Sequence, residues 1–360
     1  MRNKLVFLFF LSLSAFIQAQ NHIRFADSIR KANNIPEISY AVLTANKVLE
    51  IKALGFHSVA LKDSATLKDR FHIGSNTKAM TAFIAAKYVE KGKLKWNTKF
   101  FDLFPDLKKT SKPQYYNITL QDLLSHRARV QAFQGENDTI IPEFKGNAQE
   151  KRNKFGAFVL TLKPVELNLE MKYVYSNAGY TLAAMMLENI TGKSWEQLVN
   201  KVYNDDLKMK VKLSWPENQL ANDTWGHSFE DNKLVPVPSN TDYHLDFTEP
   251  AGDINLSLGD YIKFIQLNIQ GLQGENNYLK ARTYEMIHKG IEDYAFGWFN
   301  SYENNQDFST HAGTAGTYYS LVSIDRKNNI GYIIFTNSFN EATVNGVRFL
   351  MRKLKKDYTN

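Results

Sequence analysis

From Ser39 to Gly55 apolar and polar residues alternate on either side of Ala45-Asn46-Lys47, a period of two that predicts a β-hairpin with one buried face. Phe25 to Ala32 reads as a short amphipathic helix. After Phe71-His72-Ile73-Gly74 the period lengthens. Met80, Phe83, Ile84 and Tyr88 recur on one face of a helix that starts near Ser75 and is closed by Gly92. Between Phe101 and Lys289 helical stripes alternate with polar, Asn-rich connections. Helices are expected over Leu120–Leu124, Gly179–Ile190, Trp195–Val202 and Leu258–Ile269, the last stopped at Gly271. Strand patterns then return: a short aromatic run at Phe296–Phe299, alternation over Tyr318–Ile324, a turn at Asp325–Asn329 and a partner strand at Gly331–Thr336. A closing helix carries Val344, Val347, Leu350, Met351 and Leu354 on one stripe.

Strands at both chain ends with helices between them predict an α/β (α+β) fold. One antiparallel sheet, flanked by helices, is built from residues 20–100 and 290–360, and residues 101–289 form an inserted, mostly helical lobe. The junction of the two lobes is the natural place for a cleft.

Residues 1–19 stand apart. Arg2 and Lys4 precede an uncharged, mostly apolar stretch from Leu5 to Ile17, followed by Gln18-Ala19-Gln20. This is the pattern of a signal peptide cut after Ala19, and the apolar stretch is shorter than the roughly 20 residues of a spanning helix. The expectation is a secreted or periplasmic protein with no stable membrane anchor.

The 360-residue chain is 43% hydrophobic and 22% charged, which excludes a disordered or low-complexity protein. It contains no Cys, so disulfides, thiolate metal sites and cysteine nucleophiles are excluded together. The formal net charge is +7, with the basic residues dispersed and the densest cluster, Arg352 to Lys356, on the closing helix. That cluster fits a solvated helix face better than a nucleic-acid site. Oligomeric state is not legible here.

Three short patterns carry candidate chemistry. In Ser75-Asn76-Thr77-Lys78 the Ser and Lys are three apart, so on a helix they share a face. A desolvated Lys there can take the hydroxyl proton as the Ser attacks. Chance supplies such spacings, and Ser28-Ile29-Arg30-Lys31 is another. Only Ser75 opens a helix apolar enough to be buried. In Tyr175-Ser176-Asn177, ahead of an apolar helix, the Tyr hydroxyl can serve as base or as acid to a leaving group. The Asn amide can bond both an amine and a substrate carbonyl. In His311-Ala312-Gly313, before the last strand pair, small residues let a strand edge approach a ligand and donate a backbone N–H to an oxyanion.

Taken in order, these patterns resemble the serine β-lactamase and penicillin-binding DD-peptidase superfamily, in particular its class C-like branch with related esterases and D-aminopeptidases. The resemblance extends to Leu123-Leu124-Ser125-His126, Tyr175 to Tyr180, Thr191-Gly192-Lys193-Ser194 and Pro250-Ala251-Gly252. It implies a β-lactamase/transpeptidase-like fold, no cofactor or metal, and an acyl-enzyme formed on Ser75. Lys78 would be the proton acceptor, Tyr175 the partner base and acid, and Asn177 the group that orients Lys78 and the substrate. The N–H groups of Ser75 and Thr314 would form the oxyanion hole, with His311 and Gly313 on the strand beside them.

Departures from the family pattern bear on substrate. His311 stands where relatives carry a permanent Lys cation, and its reference pKa of about 6.5 leaves it mostly neutral at pH 7. His126-Arg127-Ala128-Arg129 and Leu169-Glu170-Met171 replace a His-Thr-Ser-Gly loop and a Pro-Gly turn. The expected function is an exported serine hydrolase of ester or amide bonds, including those of D-amino-acid peptides. The alternatives are a true class C-type β-lactamase or DD-carboxypeptidase, and a non-catalytic protein that binds wall fragments.

Overall fold

The computed structural model describes residues 20–359 except 62, 136–137, 169–171, 217–223, 232, 238–244 and 304–305. The expected leader and the Leu169-Glu170-Met171 departure therefore lie outside the described residues.

The central sheet has six strands in the order β2-β1-β11-β10-β9-β8, antiparallel throughout. β1 (Glu37–Leu43) and β2 (Val48–Gly55) come from the start of the chain. β8 (Phe299–Glu303), β9 (Gln306–Thr314), β10 (Tyr319–Asp325) and β11 (Ile330–Thr336) come from its end. Two smaller sheets lie outside it. One is β3 (Arg70–His72), β7 (Ile254–Ser257) and β4 (Lys212–Leu213); the other is the hairpin of β5 (Gly226–Glu230) and β6 (Lys233–Val237). Strands β4 to β7 thus fall in the stretch whose sequence reads as helical.

The sheet is covered on both faces, which corrects the expectation of a hairpin with one buried face. On β1, Ile38, Tyr40 and Val42 join one apolar cluster with Val347, Leu350 and Leu354 of the closing helix Glu341–Thr359. Ala41 and Leu43 point the other way, into the main core with Tyr261, Phe264 and Ile265 of the helix Leu258–Leu272. β11 divides in the same way, so Ile330–Phe335 is a nearly unbroken apolar run.

Three further expectations change. The helix Thr77–Glu90 is buried all round over Thr77–Ala86 rather than along a stripe, because helices and the sheet enclose it. Gly271 does not stop its helix, which runs to Leu272. A Cβ there would lie 1.9 Å from the Tyr284 ring, so Gly271 admits a packed aromatic, and the chain turns at Gly274 (φ +95°). Phe296–Phe299 is mostly lead-in, with β8 beginning at Phe299.

The chain ends are joined by a buried polar cluster. His22, on the helix that runs through residue 32, is 1% exposed and bonds Glu50 through Nδ1 and Asp357 through Nε2, each at 2.8 Å. Tyr40 and Tyr358 both donate to Glu50. Burial alone would lower the His22 pKa, but the bonds and charges of Glu50 and Asp357 outweigh it and raise the value. Stability from this raised group is complete below its unfolded pKa near 6.5 and is lost as pH rises through the folded value. His22→Ala should therefore cost about 3 kcal/mol at pH 6. The gap between wild type and variant in urea denaturation should narrow toward pH 9.

Candidate active site

The turn that carries Ser75 is held against the end of β9 by two glycines. β3 leads through Ile73 into a 3₁₀ turn at Gly74–Asn76, which continues as the Thr77–Glu90 helix. A Cβ on Gly74 (φ +50°) would lie 2.3 Å from the Thr314 nitrogen. One on Gly313 would lie 2.0 Å from the Ile73 oxygen and 2.7 Å from the Ser75 nitrogen. Larger residues at either position would push the turn and strand apart. Asn76 Nδ2 donates to Ser320 Oγ, which in turn donates to the Ile73 carbonyl.

Lys78 lies one turn on, fully buried. Its Nζ is 3.0 Å from Ser75 Oγ, 2.8 Å from Asn177 Oδ1 and 2.9 Å from the Ala251 carbonyl oxygen. None of these partners is a carboxylate. Burial holds the Lys78 pKa well below its usual 10.5. In the neutral amine two protons remain for three partners, and the third partner must donate to the lone pair. Asn177 Oδ1 and the Ala251 carbonyl can only accept, so the Ser75 hydroxyl is the one that donates. Neutral Lys78 is thereby aimed at the Ser75 proton.

Asn177 is the first residue of the Asn177–Thr191 helix, whose N-cap Ser176 accepts from the Gly179 N–H. Asn177 Nδ2 donates to the Phe133 carbonyl at 2.8 Å, which fixes its oxygen toward Lys78. Phe133 holds a left-handed backbone (φ +48°), a strained state that the surrounding contacts maintain. Tyr175 places its ring centroid 4.7 Å from Lys78 Nζ, with its hydroxyl beside Ser75. Burial raises the Tyr175 pKa far above 10. At neutral pH it is a phenol, a proton donor.

The structure therefore brings Ser75, Lys78, Tyr175 and Asn177 together. They border, or in the case of Lys78 lie beneath, a cavity of about 890 Å³ that Thr314 and Gly252 also line. The Thr314 hydroxyl donates to the Tyr318 carbonyl and accepts from the Gly316 N–H, so its side chain is occupied in the β9–β10 turn.

His311 is placed differently. It lies near the end of β9, paired with Val322, rather than at the start of a strand. Its ring is 1% exposed and is not among the residues lining the cavity. Nδ1 donates to the Ala312 carbonyl at 2.7 Å, and Nε2 accepts from the Tyr294 hydroxyl at 3.1 Å. Burial, reinforced by Lys78, lowers its pKa to about 3, so it is neutral. It backs Tyr175, ring centroids 6.2 Å apart, and does not face a substrate across the cleft.

His126 (φ +63°) also packs on Tyr175, at 4.3 Å, and its Nδ1 accepts the Ser176 N–H. The bulk of the neighbouring arginines is directed away from the chemistry. Arg127 donates to the carbonyls of Ser125, Glu292 and Tyr294, and Arg129 to that of Val165. Sequence reasoning missed Tyr294, which no motif marks. It also missed the role of the Ala251 carbonyl, although Pro250-Ala251-Gly252 was legible as a motif. Thr81 secures that segment by donating to the Pro250 carbonyl while accepting from Trp195 Nε1.

The beta-lactamase family profile matches residues 23–354, and the chain belongs to that family of serine hydrolases. Protein flp of Staphylococcus aureus (strain MW2) is 25% identical over 315 residues, 84% of this chain and 60% of flp, so the chain spans about three fifths of that relative. Among solved structures, the D-amino acid amidase of Ochrobactrum anthropi SV3 complexed with L-phenylalanine amide superposes with a TM-score of 0.74. It is 19% identical and covers 94% of this chain and 99% of its own. A class C beta-lactamase superposes at 0.72, with 18% identity and coverage of 94% and 97%. The fold is the β-lactamase/transpeptidase fold.

The lowered pKa of Lys78 sets a pH dependence for any reaction that needs the neutral amine. Activity is present above that pKa and is lost as pH falls through it, so kcat/KM should rise with pH and level off well below pH 10. Lys78→Arg, which cannot lose its proton, should depress kcat by at least about a thousandfold with the fold retained by circular dichroism.

Proposed function

We propose that the protein is an exported serine hydrolase that cleaves ester or amide bonds through an acyl-enzyme on Ser75. The observation that carries this reading is the contact of the Ser75 hydroxyl with a buried, uncompensated Lys78 amine at 3.0 Å, beside a Tyr175 hydroxyl.

In the reaction, Ser75 Oγ attacks the substrate carbonyl carbon as its proton passes to Lys78 Nζ. Backbone N–H groups of Ser75 and Thr314 take the developing oxyanion. The tetrahedral intermediate collapses, the bond to the leaving group breaks, and Tyr175 supplies the proton that the leaving alcohol or amine requires. Lys78 returns its proton to Tyr175. Water then attacks the acyl carbon and gives a proton to the same base pair; the bond from that carbon to Ser75 Oγ breaks, the acid product leaves, and the proton passes to Oγ to restore the hydroxyl. The opposite shifts of the two groups, Lys78 downward and Tyr175 upward, divide the labour into base and acid. Amide bonds of D-amino acids are within this chemistry, in keeping with the similarity to a D-amino acid amidase. Export follows from residues 1–19, removed after Ala19. No described helix is long and apolar enough to cross a membrane.

The test is labelling with a fluorophosphonate, with turnover of p-nitrophenyl esters, D-amino acid p-nitroanilides and nitrocefin measured in parallel. The expected result is a covalent adduct on the peptide containing Ser75, lost in Ser75→Ala, with ester or amide turnover. No adduct and no turnover of any substrate would refute the reading.

A further inference from the structure

We infer that the cleft selects substrates whose acyl portion is apolar and carries no carboxylate, so that uncharged esters or amides are preferred over β-lactam- or peptide-acid-like ones. This inference rests on the acyl-enzyme reading above and specifies its substrate class.

The first support is an aromatic wall joined directly to the reactive groups. The Phe133 carbonyl accepts from Asn177 Nδ2, and Phe133, almost wholly buried, is among the residues that line the cleft. Phe155 packs behind it, edge to face at 5.0 Å, and stacks on Phe247 at 4.5 Å; Phe144 meets Phe247 at 5.9 Å. The Phe247 carbonyl accepts from Thr181, one turn after Asn177 on the same helix. Phe133, Phe144 and Phe247 all line the cavity, with Ile141 beside them. These rings form one packed wall continuous with the site, suited to an apolar group.

The second support is charge. Among the described residues lining the cavity, Lys151 is the one Lys or Arg, and its Nζ is ion-paired with Asp246 at 3.0 Å. Glu143 adds a second carboxylate, leaving the lining with a formal excess of negative charge. His311 supplies no cation, because it is neutral and outside the lining. Among the described lining residues, a carboxylate drawn into this cleft would lose hydration without meeting an unpaired Lys or Arg, and it would face Glu143 and Asp246.

The experiment compares p-nitrophenyl acetate, butyrate and octanoate with a matched pair, p-nitrophenyl valerate and the mono-p-nitrophenyl ester of glutaric acid, on the full mature chain. Expected is a rise in kcat/KM of about fourfold per added methylene over the first few carbons. The glutarate ester should be at least about tenfold poorer than the valerate. Phe247→Ala should lower the octanoate rate more than the acetate rate. Asp246 is surface-exposed, so Asp246→Asn should fold normally; it unpairs Lys151 and should raise the glutarate-to-valerate ratio several-fold. A flat chain-length profile, a glutarate ester cleaved as well as the valerate, or a ratio unmoved by Asp246→Asn would overturn the inference while fluorophosphonate labelling of Ser75 persisted. Loss of labelling itself would overturn the acyl-enzyme reading and this inference together.

Discussion

An amine is enclosed at the junction of the sheet and the helices with no carboxylate among its partners, and the site depends on that enclosure. Lys78 is surrounded by oxygens from three separate parts of the chain, at residues 75, 177 and 251. Holding an ammonium there costs several kcal/mol of lost hydration that no counter-charge returns. The fold relieves that cost by favouring the uncharged amine, and the uncharged amine is the form that can act on a hydroxyl. Stability given up at this position becomes chemical reactivity.

The surrounding groups leave that balance undisturbed. His126 and His311 both have their pKa values lowered, chiefly by burial, so neither adds a positive charge that would compete with Lys78. They pack against the Tyr175 ring instead, with the Tyr294 ring 4.4 Å from His126 and its hydroxyl on His311. Arg127 anchors the same loop from outside through backbone carbonyls, including that of Tyr294. A cluster of aromatic rings and neutral imidazoles thereby sets the position of the phenol without altering the charge of the cavity.

Much of this was legible in the sequence where one local period or one motif decided the matter. The β1–β2 hairpin and the β10–β11 pair follow from short strand patterns on either side of a turn, and the stripe on the closing helix from its helical period. The spacing of Ser75 and Lys78 on one helical face is likewise a local property. What was not legible depends on partners distant in sequence. Whether β1 buries one face or two is decided by Leu258–Leu272 on one side and Glu341–Thr359 on the other. Gly271 reads as a helix end until Tyr284 is seen packed over it. The short strands β4 and β7 pair across a gap of about forty residues, and neither is long enough to show a period. His311 reads as a cleft residue by position in a motif, but Tyr294, recruited from another segment, holds its ring away from the cleft.

The placing of β1 has a consequence for how the chain is made. Its two neighbours are β2, which follows it at once, and β11, which ends at Thr336. Until β11 has been made, one edge of the first hairpin has no native strand to bond. Such an edge is open to mispairing with other nascent chains. The sheet therefore cannot close until β11 has been made, long after the hairpin that it joins.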